Sequence, residues 1–348
     1  MKQRKVAIIG HFGGNENYTD GQTVKTKTLY NELSNATDWK ISKIDTYFKS
    51  KKPITLLLET IRSIFTTRDI IVLLSGNGMK FYFPLLWLST KLFRTRVYHD
   101  VIGGNLDTYI KKYPIFKMYL NEFKYNWVET ELLRRKVESY GVTNCEVIPN
   151  FKRLNIVGES EFVKECKTPF AFCTFSRVMK EKGIEEAINA VESINKENGK
   201  VICTLDIYGM IDAEYRERFQ KVLTMSTDAV RYKGVVPFDK SVETIKGYFA
   251  LLFPTCWSGE GFPGTIVDAF SAGLPVIATN WNSNAELVEN EVTGIIYPND
   301  KISDLKSAME WIIANTARIT TMKRNCVRVA EEYQPDSWIK HMVAEMDK

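Results

Sequence analysis

The sequence predicts an α/β protein with two doubly wound, Rossmann-like domains in tandem. Apolar runs of strand length alternate with segments of helical spacing, and this alternation begins again after a polar segment at residues 150–167. Alternation of this kind favours parallel sheets with helices on both faces. The chain has 348 residues, enough for two ordinary cores. Two such domains are expected to face each other across a cleft.

The expected domains are residues 1–155 and 156–330, with 331–348 as a C-terminal helix that packs back on the first domain. In the first domain the predicted strands are residues 5–10, 40–47, 69–74, 96–100 and 145–149. The predicted helices there are residues 23–33, 55–65, 81–93 and 130–140. We interpret the segment 150–167 as the linker between the domains.

The second domain continues the same pattern. Its predicted strands are residues 170–175, 201–208, 230–233, 249–253, 275–278 and 293–297. Its predicted helices are residues 183–195, 213–225, 241–246, 264–272, 303–314 and 318–333, and a last helix begins near residue 337. No internal repeat or low-complexity tract interrupts the series.

Composition and targeting signals narrow the class of protein. Hydrophobic residues make up 44% of the chain and charged residues 26%, as in a soluble globular enzyme. The longest apolar stretch, residues 81–93, is too short to cross a bilayer, so no integral membrane anchor is expected. The N-terminus lacks the pattern of a secretory signal, and we expect a cytoplasmic location. The six cysteines and three histidines form no ligand cluster, which favours free thiols over a metal site or disulfides.

Charge is distributed unevenly along the chain. The net charge is +5, but residues 1–155 contain 25 Lys and Arg against 14 Asp and Glu. A solvated lysine-rich surface would explain this excess. The same excess of positive charge would suit a surface that binds an anionic membrane or an anionic lipid-linked substrate. Two apolar helical stretches, 54–65 and 81–93, lie beside basic residues, and either pack on the first sheet or face a membrane. No nucleic acid partner is expected.

The segment GEGFPGTIVDAFSAGLPVIAT at residues 259–279 is the most informative motif in the chain. It follows a predicted buried strand, turns through a Gly/Pro loop, and enters a helix at Gly264. A helix start after such a loop can bind an anion, because its N–H groups and its positive dipole end face the ligand. Glu260 and Asp268 stand eight positions apart on either side of that turn, where two carboxylates could hold hydroxyls flanking a phosphate.

A second loop offers cations at the same predicted sheet edge. Arg177 and Lys182 stand five positions apart after the strand 170–175, and a helix follows from Gly183. Two such side chains could neutralise a pyrophosphate. Alone the pattern is weak, since Arg and Lys in such loops are usually solvated.

The first domain opens with a glycine loop after its first strand. Gly13 and Gly14 lie in this loop, and Gly21 precedes the first predicted helix. The spacing departs from the GxGxxG dinucleotide fingerprint, and Asp45 comes too late to close a second strand at the usual distance. NAD binding is therefore the weaker interpretation.

Several of these motifs, in this order, resemble retaining glycosyltransferases of the GT-B fold, and most of all bacterial enzymes that build capsular or extracellular polysaccharide. The resemblance is strong over residues 170–298, through FSRVMKEKGIEEAINAV, IYG at 207–209, CWSGEGFPGTIVDAFSAGLPVIAT and Thr293-Gly294. It is looser over residues 1–150, where the glycine loop, His99-Asp100 and Val147-Ile-Pro-Asn150 carry it.

The resemblance implies a role for each motif residue. Arg177 and Lys182 would neutralise the donor diphosphate, Glu260 would hold hydroxyls of the donor sugar, and Asp268 would hold the ribose. The family more often has Glu at the second acidic position, and the Asp268 side chain is one methylene shorter than a glutamate. The backbone of the turn would meet the phosphates; its residues are Gly261, Phe262, Pro263, Gly264 and Thr265. From the first domain, His99 would lie near the donor sugar and the three loop glycines would approach the substrates; a purely structural His99 is the alternative.

These implications predict a retaining transferase that moves a sugar from a nucleotide-diphosphate sugar, expected to be a UDP-sugar, to a saccharide acceptor on a polyprenyl diphosphate. Relatives are described as needing no enzyme nucleophile, with the acceptor attacking the face that the leaving group departs. No metal and no prosthetic group are expected, since cations replace the metal. A sugar-nucleotide epimerase, an inverting transferase on the same fold, and a silent scaffold remain alternatives.

Overall fold

The computed structural model describes residues 3–16, 20–162, 167–298 and 302–348. The chain divides into two compact units. The first comprises Met1–Arg153 with Pro335–Lys348, and the second comprises Leu154–Gln334.

The first unit contains a parallel sheet of six strands within its described residues, in the order β2-β1-β3-β4-β5-β6. The strands are β1 (Lys5–Gly10), β2 (Lys40–Asp45), β3 (Asp69–Leu73), β4 (Arg96–Asp100), β5 (Tyr125–Val128) and β6 (Cys145–Val147). The helices that connect them are α1 (Gly21–Ala36), α2 (Pro53–Thr66), α3 (Gly76–Phe93), α4 (Leu106–Lys112), α5 (Ile115–Glu122) and α6 (Glu131–Ser139). The strand order reverses between β1 and β3.

The second unit repeats this plan. Its described residues form six parallel strands in the order β12-β11-β10-β7-β8-β9, so the order reverses between β10 and β7. The strands are β7 (Phe170–Phe175), β8 (Cys203–Tyr208), β9 (Val230–Gly234), β10 (Ala250–Phe253), β11 (Val276–Thr279) and β12 (Gly294–Tyr297). The helices are α7 (Ile184–Asn198), α8 (Arg216–Met225), α9 (Ser241–Ile245), α10 (Gly264–Ser271), α11 (Asn284–Leu287), α12 (Ile302–Ala314) and α13 (Ile319–Glu332).

The last helix, α14 (Pro335–Asp347), belongs to the first unit and covers one face of its sheet. Side chains point to opposite sides of a strand in turn, so β1 contributes residues to the core on both faces of the sheet. Val6 and Ile8 pack in one cluster with Leu29 of α1 and Met342 of α14. Their neighbours Ala7 and Ile9 pack in the other cluster, which α2 to α6 cover.

The predicted strands and helices are present, with shifts of a few residues at their ends. The structure adds elements that the sequence patterns did not predict, namely β5, α4, α5 and α11. The predicted linker is partly packed: Val157 and Phe162 are buried in the core of the second unit, and the Val157 N–H donates to the Ser271 carbonyl at 2.9 Å. Among the helices of the described segments, none has the length and apolar character that a membrane span requires.

Candidate functional site

The best candidate site lies at the carboxyl edge of the second sheet, where β7 and β10 are neighbours. Because the strand order reverses between them, the connections that follow these strands leave in opposite directions and open a crevice. The loop after β7 carries Arg177 and Lys182, and the loop after β10 carries Glu260.

These two loops approach each other closely. Gly183 has a φ of +70°, and a Cβ atom there would lie 2.2 Å from the carbonyl oxygen of Pro254. No residue with a side chain fits that space without moving the backbone. Nearby, the Cys256 N–H donates to the Glu181 carbonyl at 2.8 Å. The loops are therefore held together by backbone contacts.

A buried ion pair joins the loops. The Lys182 ammonium contacts the Glu260 carboxylate, and both side chains are more than nine-tenths buried. The Thr255 hydroxyl donates to the same carboxylate at 2.9 Å, and the Asn282 amide donates to the Glu260 carbonyl at 3.1 Å. Pairing of this kind offsets the cost of taking two charges out of water. An ammonium has three N–H groups, so Lys182 keeps donor capacity for an anion.

Both cations of the site lie near the ring of Trp257. The Lys182 ammonium lies 5.0 Å from the centre of its ring, and the Arg177 guanidinium lies 5.5 Å from it. Both distances are within cation–π range. Arg177 itself is exposed, so its guanidinium is accessible to a ligand.

The predicted turn before α10 is mostly internal. Gly261, Phe262 and Pro263 are buried, and the Phe262 ring packs edge-on against Tyr333. Gly264 and Thr265 are half-buried at the start of the helix, and the Thr265 hydroxyl donates to the Phe175 carbonyl at the end of β7. The start of α10 is thus fixed to the strand whose loop carries the cations.

Asp268 lies inside α10 and is 3% exposed. One carboxylate oxygen accepts a hydrogen bond from the Ser241 hydroxyl of α9 at 2.8 Å. In this structure Asp268 links two helices, and its contact with a ribose stays a prediction.

The glycine loop of the first unit has an internal partner. Gly13 and Gly14 both have positive φ angles. The N–H groups of Phe12 and Gly14 each donate at 2.8 Å to the carboxylate of Asp45, which ends β2. The Gly14 amide, which was expected to approach a substrate, thus donates to a carboxylate of its own unit, and contact of these glycines with a substrate stays a prediction. Gly21 is exposed at the first residue of α1.

His99 lies in the interior of the first unit. It is fully buried in β4, its ring packs edge-on against Phe83 with centroids 5.0 Å apart, and its Nδ1 lies 3.3 Å from the Asn126 side-chain oxygen. Burial lowers the pKa of His99 to about 3, so the imidazole is neutral. These surroundings favour the structural alternative, and a place for His99 near the donor sugar stays a prediction.

Sequence reasoning missed two further groups of interacting residues. Thr255 and Trp257 belong to the site described above, and no pattern in the sequence around them predicted their contacts. In the first unit, the buried Lys25 ammonium lies 2.7 Å from Asp100 and 2.9 Å from Glu129. Burial raises the pKa of Asp100 to about 6, although Lys25 opposes that shift.

One group of side chains in the described segments could hold a metal ion. Within the described segments, His, Cys, Asp and Glu side chains come close enough to share an ion at Glu146, His341 and Glu345. This group belongs to the first unit and includes none of the residues predicted for the site.

The burial of His99 predicts an acid-sensitive first unit. Because the pKa of about 3 in the folded protein lies below the ordinary histidine pKa of 6.5, the contribution of His99 to stability is complete above pH 6.5 and is lost as the pH falls toward 3. Between pH 7.5 and 5 we expect the wild type to lose about 2 kcal/mol more stability than His99→Gln. Urea denaturation of both proteins at the two pH values measures this difference, and equal losses would contradict it.

The buried ion pair predicts a double-mutant pattern in stability. Lys182→Met leaves Glu260 buried without its cation and should lower the free energy of unfolding by about 3 kcal/mol. Lys182→Met combined with Glu260→Gln removes both charges and should recover most of that loss. Lys180→Met, at an exposed lysine of the same turn, is the control and should change little. A double variant no more stable than Lys182→Met would show that the charges are not coupled.

Part of the chain is similar to a known protein family. Residues 169–315 match the family model "Glycosyl transferases group 1". Curated relatives match over similar lengths: an uncharacterised glycosyltransferase of Methanocaldococcus jannaschii is 23% identical over 47% of this chain and 41% of its own. The GtfA subunit of a UDP-N-acetylglucosamine–peptide N-acetylglucosaminyltransferase of Streptococcus agalactiae is 27% identical over 49% of this chain and 34% of its own. The amylovoran biosynthesis glycosyltransferase AmsK of Erwinia amylovora is 24% identical over 37% of this chain and 32% of its own.

Solved structures share the whole fold. HepE of Anabaena, in complex with UDP-glucose, superposes with a TM-score of 0.76 at 14% identity over 99% of both chains. Sucrose-phosphate synthase of Thermosynechococcus elongatus superposes with a TM-score of 0.76 at 15% identity over 98% of both chains. The matched segments span less than half of the length of the first curated relatives. Residues 169–315 are therefore similar to a glycosyl transferases group 1 domain, and the chain has the two Rossmann-like domains of the GT-B fold.

Proposed function

We propose that this chain is a retaining glycosyltransferase that moves a sugar from a UDP-sugar to a saccharide acceptor. The observation that carries the proposal is the Lys182–Glu260 pair at the β7/β10 switch point, with Arg177 beside it over Trp257. All four residues lie in the segment that matches the family model. Cations and a carboxylate at one crevice suit a ligand with an anionic and a hydroxyl-bearing part.

The diphosphate of the donor binds to the cations in this proposal. Arg177 can form a bidentate contact with phosphate oxygens, and Lys182 donates with the N–H groups that Glu260 leaves free. The start of α10 adds the positive end of its helix dipole. Charge on the diphosphate grows as its bond to the sugar breaks, so these groups act most strongly in the transition state.

Glu260 holds hydroxyls of the donor sugar. Its carboxylate is already oriented by Lys182 and Thr255, which limits the reorganisation needed when the sugar arrives. Asp268 is assigned to the ribose hydroxyls, and this contact requires the carboxylate to turn from Ser241 or to use its other oxygen.

No enzyme base is assigned in the transfer step. The acceptor hydroxyl attacks the anomeric carbon from the face that the diphosphate leaves, the carbon–oxygen bond to the diphosphate breaks, and the hydroxyl proton passes to a departing phosphate oxygen. The two cations take over the charge neutralisation that a metal would otherwise supply, so transfer is expected to persist in chelator.

The donor and the pathway rest on the relatives. A structural neighbour binds UDP-glucose, and the AmsK relative is named for amylovoran biosynthesis. We therefore propose a UDP-sugar donor, a cytoplasmic site of action, and an acceptor on a polyprenyl diphosphate that the first unit binds. A sugar-nucleotide epimerase or an inverting transferase needs a catalytic base near the sugar; burial lowers the pKa of His99, which makes its imidazole a weak base and disfavours these alternatives.

A donor screen tests the activity. Titration calorimetry with UDP-, GDP- and dTDP-sugars should give heat of binding with a UDP-sugar, because the site offers cations for the diphosphate. Incubation of that donor with lipid-linked saccharide should release UDP in the presence of chelator, and nuclear magnetic resonance of the product should show the anomeric configuration of the donor. Inverted configuration would exclude retention, and absence of heat with every donor would exclude the transferase.

Substitutions separate the assigned roles. Glu260→Gln should lower the transfer rate by about a hundredfold while UDP affinity changes little, since it removes a contact to the sugar. Arg177→Ala should weaken UDP binding itself by about tenfold. Glu214→Gln, at an exposed position on the same unit, controls for loss of a carboxylate. Normal turnover by Glu260→Gln would remove that residue from the site.

A further inference from the structure

The first unit carries large apolar side chains on the outer face of two helices. In α2 the residues Leu56, Thr60, Ser63 and Ile64 face the core. On the opposite side, Ile54, Leu58 and Phe65 are 74%, 60% and 65% exposed. Their spacing of four and seven residues places them in one stripe along the helix.

Helix α3 repeats this arrangement. Its core side includes Phe83 and Leu86, while Phe81, Leu88 and Leu92 are 56%, 45% and 62% exposed. The spacing of seven and four residues again gives a single stripe. Isolated exposed apolar residues are ordinary on protein surfaces, but two stripes on neighbouring helices are not.

The stripes belong to one continuous surface. The connections from β2 to β3 and from β3 to β4 run in the same direction along the sheet, so α2 and α3 lie on the same face. The rings of Phe65 and Phe93 join the C-terminal ends of these helices, with centroids 4.8 Å apart. Helix α5 extends the surface through Ile115 and Met118, which are also exposed. We call this surface the apolar face; it comprises Ile54, Leu57, Leu58, Phe65, Phe81, Leu88, Leu92, Phe93, Ile115 and Met118.

Positive charge surrounds the apolar face. Residues 51–118 contain 11 Lys and Arg against 4 Asp and Glu, and two of these acidic residues, Asp69 and Asp100, are buried. Arg62 and Lys80 are exposed within α2 and α3, and Arg94, Lys111 and Lys117 are exposed at or beyond helix ends. A partner that fits this pattern combines an apolar interior with an anionic surface.

We propose that the apolar face docks on an anionic lipid bilayer, with Leu, Ile and Phe side chains inserted at the boundary of headgroups and acyl chains. A bilayer that contains acidic lipids offers both required properties over a broad flat surface. The inference does not depend on the donor site, since every residue of the apolar face lies in the first unit and none is assigned to substrate.

Vesicle flotation tests the proposal with the full chain. The wild type should float with vesicles of equal parts phosphatidylcholine and phosphatidylglycerol, bind phosphatidylcholine vesicles more weakly, and lose binding as salt rises. Leu58→Glu combined with Leu92→Glu should lower the vesicle partition coefficient by about tenfold or more, because it removes two inserted side chains and adds repulsion.

A matched control comes from the second unit. Met210 and Met225 are 58% and 79% exposed outside the apolar face, and Met210→Glu with Met225→Glu adds the same charge there. This variant should float as the wild type does. Circular dichroism and nucleotide binding should be unchanged in both variants, which separates loss of docking from loss of fold or of the donor site.

Three results would overturn the proposal. The wild type could fail to bind anionic vesicles at low salt. The control could lose binding as fully as the apolar-face variant. The wild type could form dimers that Leu58→Glu with Leu92→Glu disperses, without binding vesicles, and the face would then be an interface between copies of this chain. Light scattering after size-exclusion chromatography distinguishes this last case.

Discussion

The candidate site depends on one buried ion pair, Lys182 with Glu260. Neither charge would be stable alone at this depth, so each loop can adopt its conformation only when the other supplies its partner. The close approach of Gly183 to Pro254 and the bond from Cys256 to Glu181 hold the backbones at the distance that the pair requires. The site is therefore organised before any ligand binds, and rigid positioning of charge is what stabilisation of a leaving diphosphate needs.

The two sheets share a plan but differ at their switch points. In the first sheet the amides of the glycine loop already donate to Asp45, so an anion there would have to displace a carboxylate. In the second sheet the loops present Arg177 and Lys182 around Trp257, and Lys182 retains N–H groups for a ligand. At its switch point the second sheet is thus better suited than the first to bind the diphosphate of the proposed donor.

Periodicity and turn chemistry were enough to predict most of the fold. The six predicted strands of the second unit are present; five are short, mostly apolar runs, and the strand at Val230–Gly234 alternates apolar and charged residues. Strand β5 was missed because its four residues, Tyr125–Val128, contain an asparagine and lie among short helices that have no clear stripe. The burial of His99 could not be predicted, because the sequence indicates its strand but not the aromatic residues that pack against its ring. Lys182 and Glu260 were each predicted, yet their pairing spans 78 positions and follows from tertiary packing alone.

The shorter side chain of Asp268 has a structural consequence. A glutamate at this position would reach one methylene further, whereas the aspartate lies against Ser241 and ties α10 to α9. The start of α10 is also tied to β7 through Thr265 and to the core through Phe262. Three anchors on an eight-residue helix fix the direction of its N–H groups, so Asp268 contributes to the phosphate end of the proposed site even without touching a ribose. Asp268 thus serves the proposed site in two ways: its bond to Ser241 orients the helix, and its carboxylate is the group assigned to the ribose.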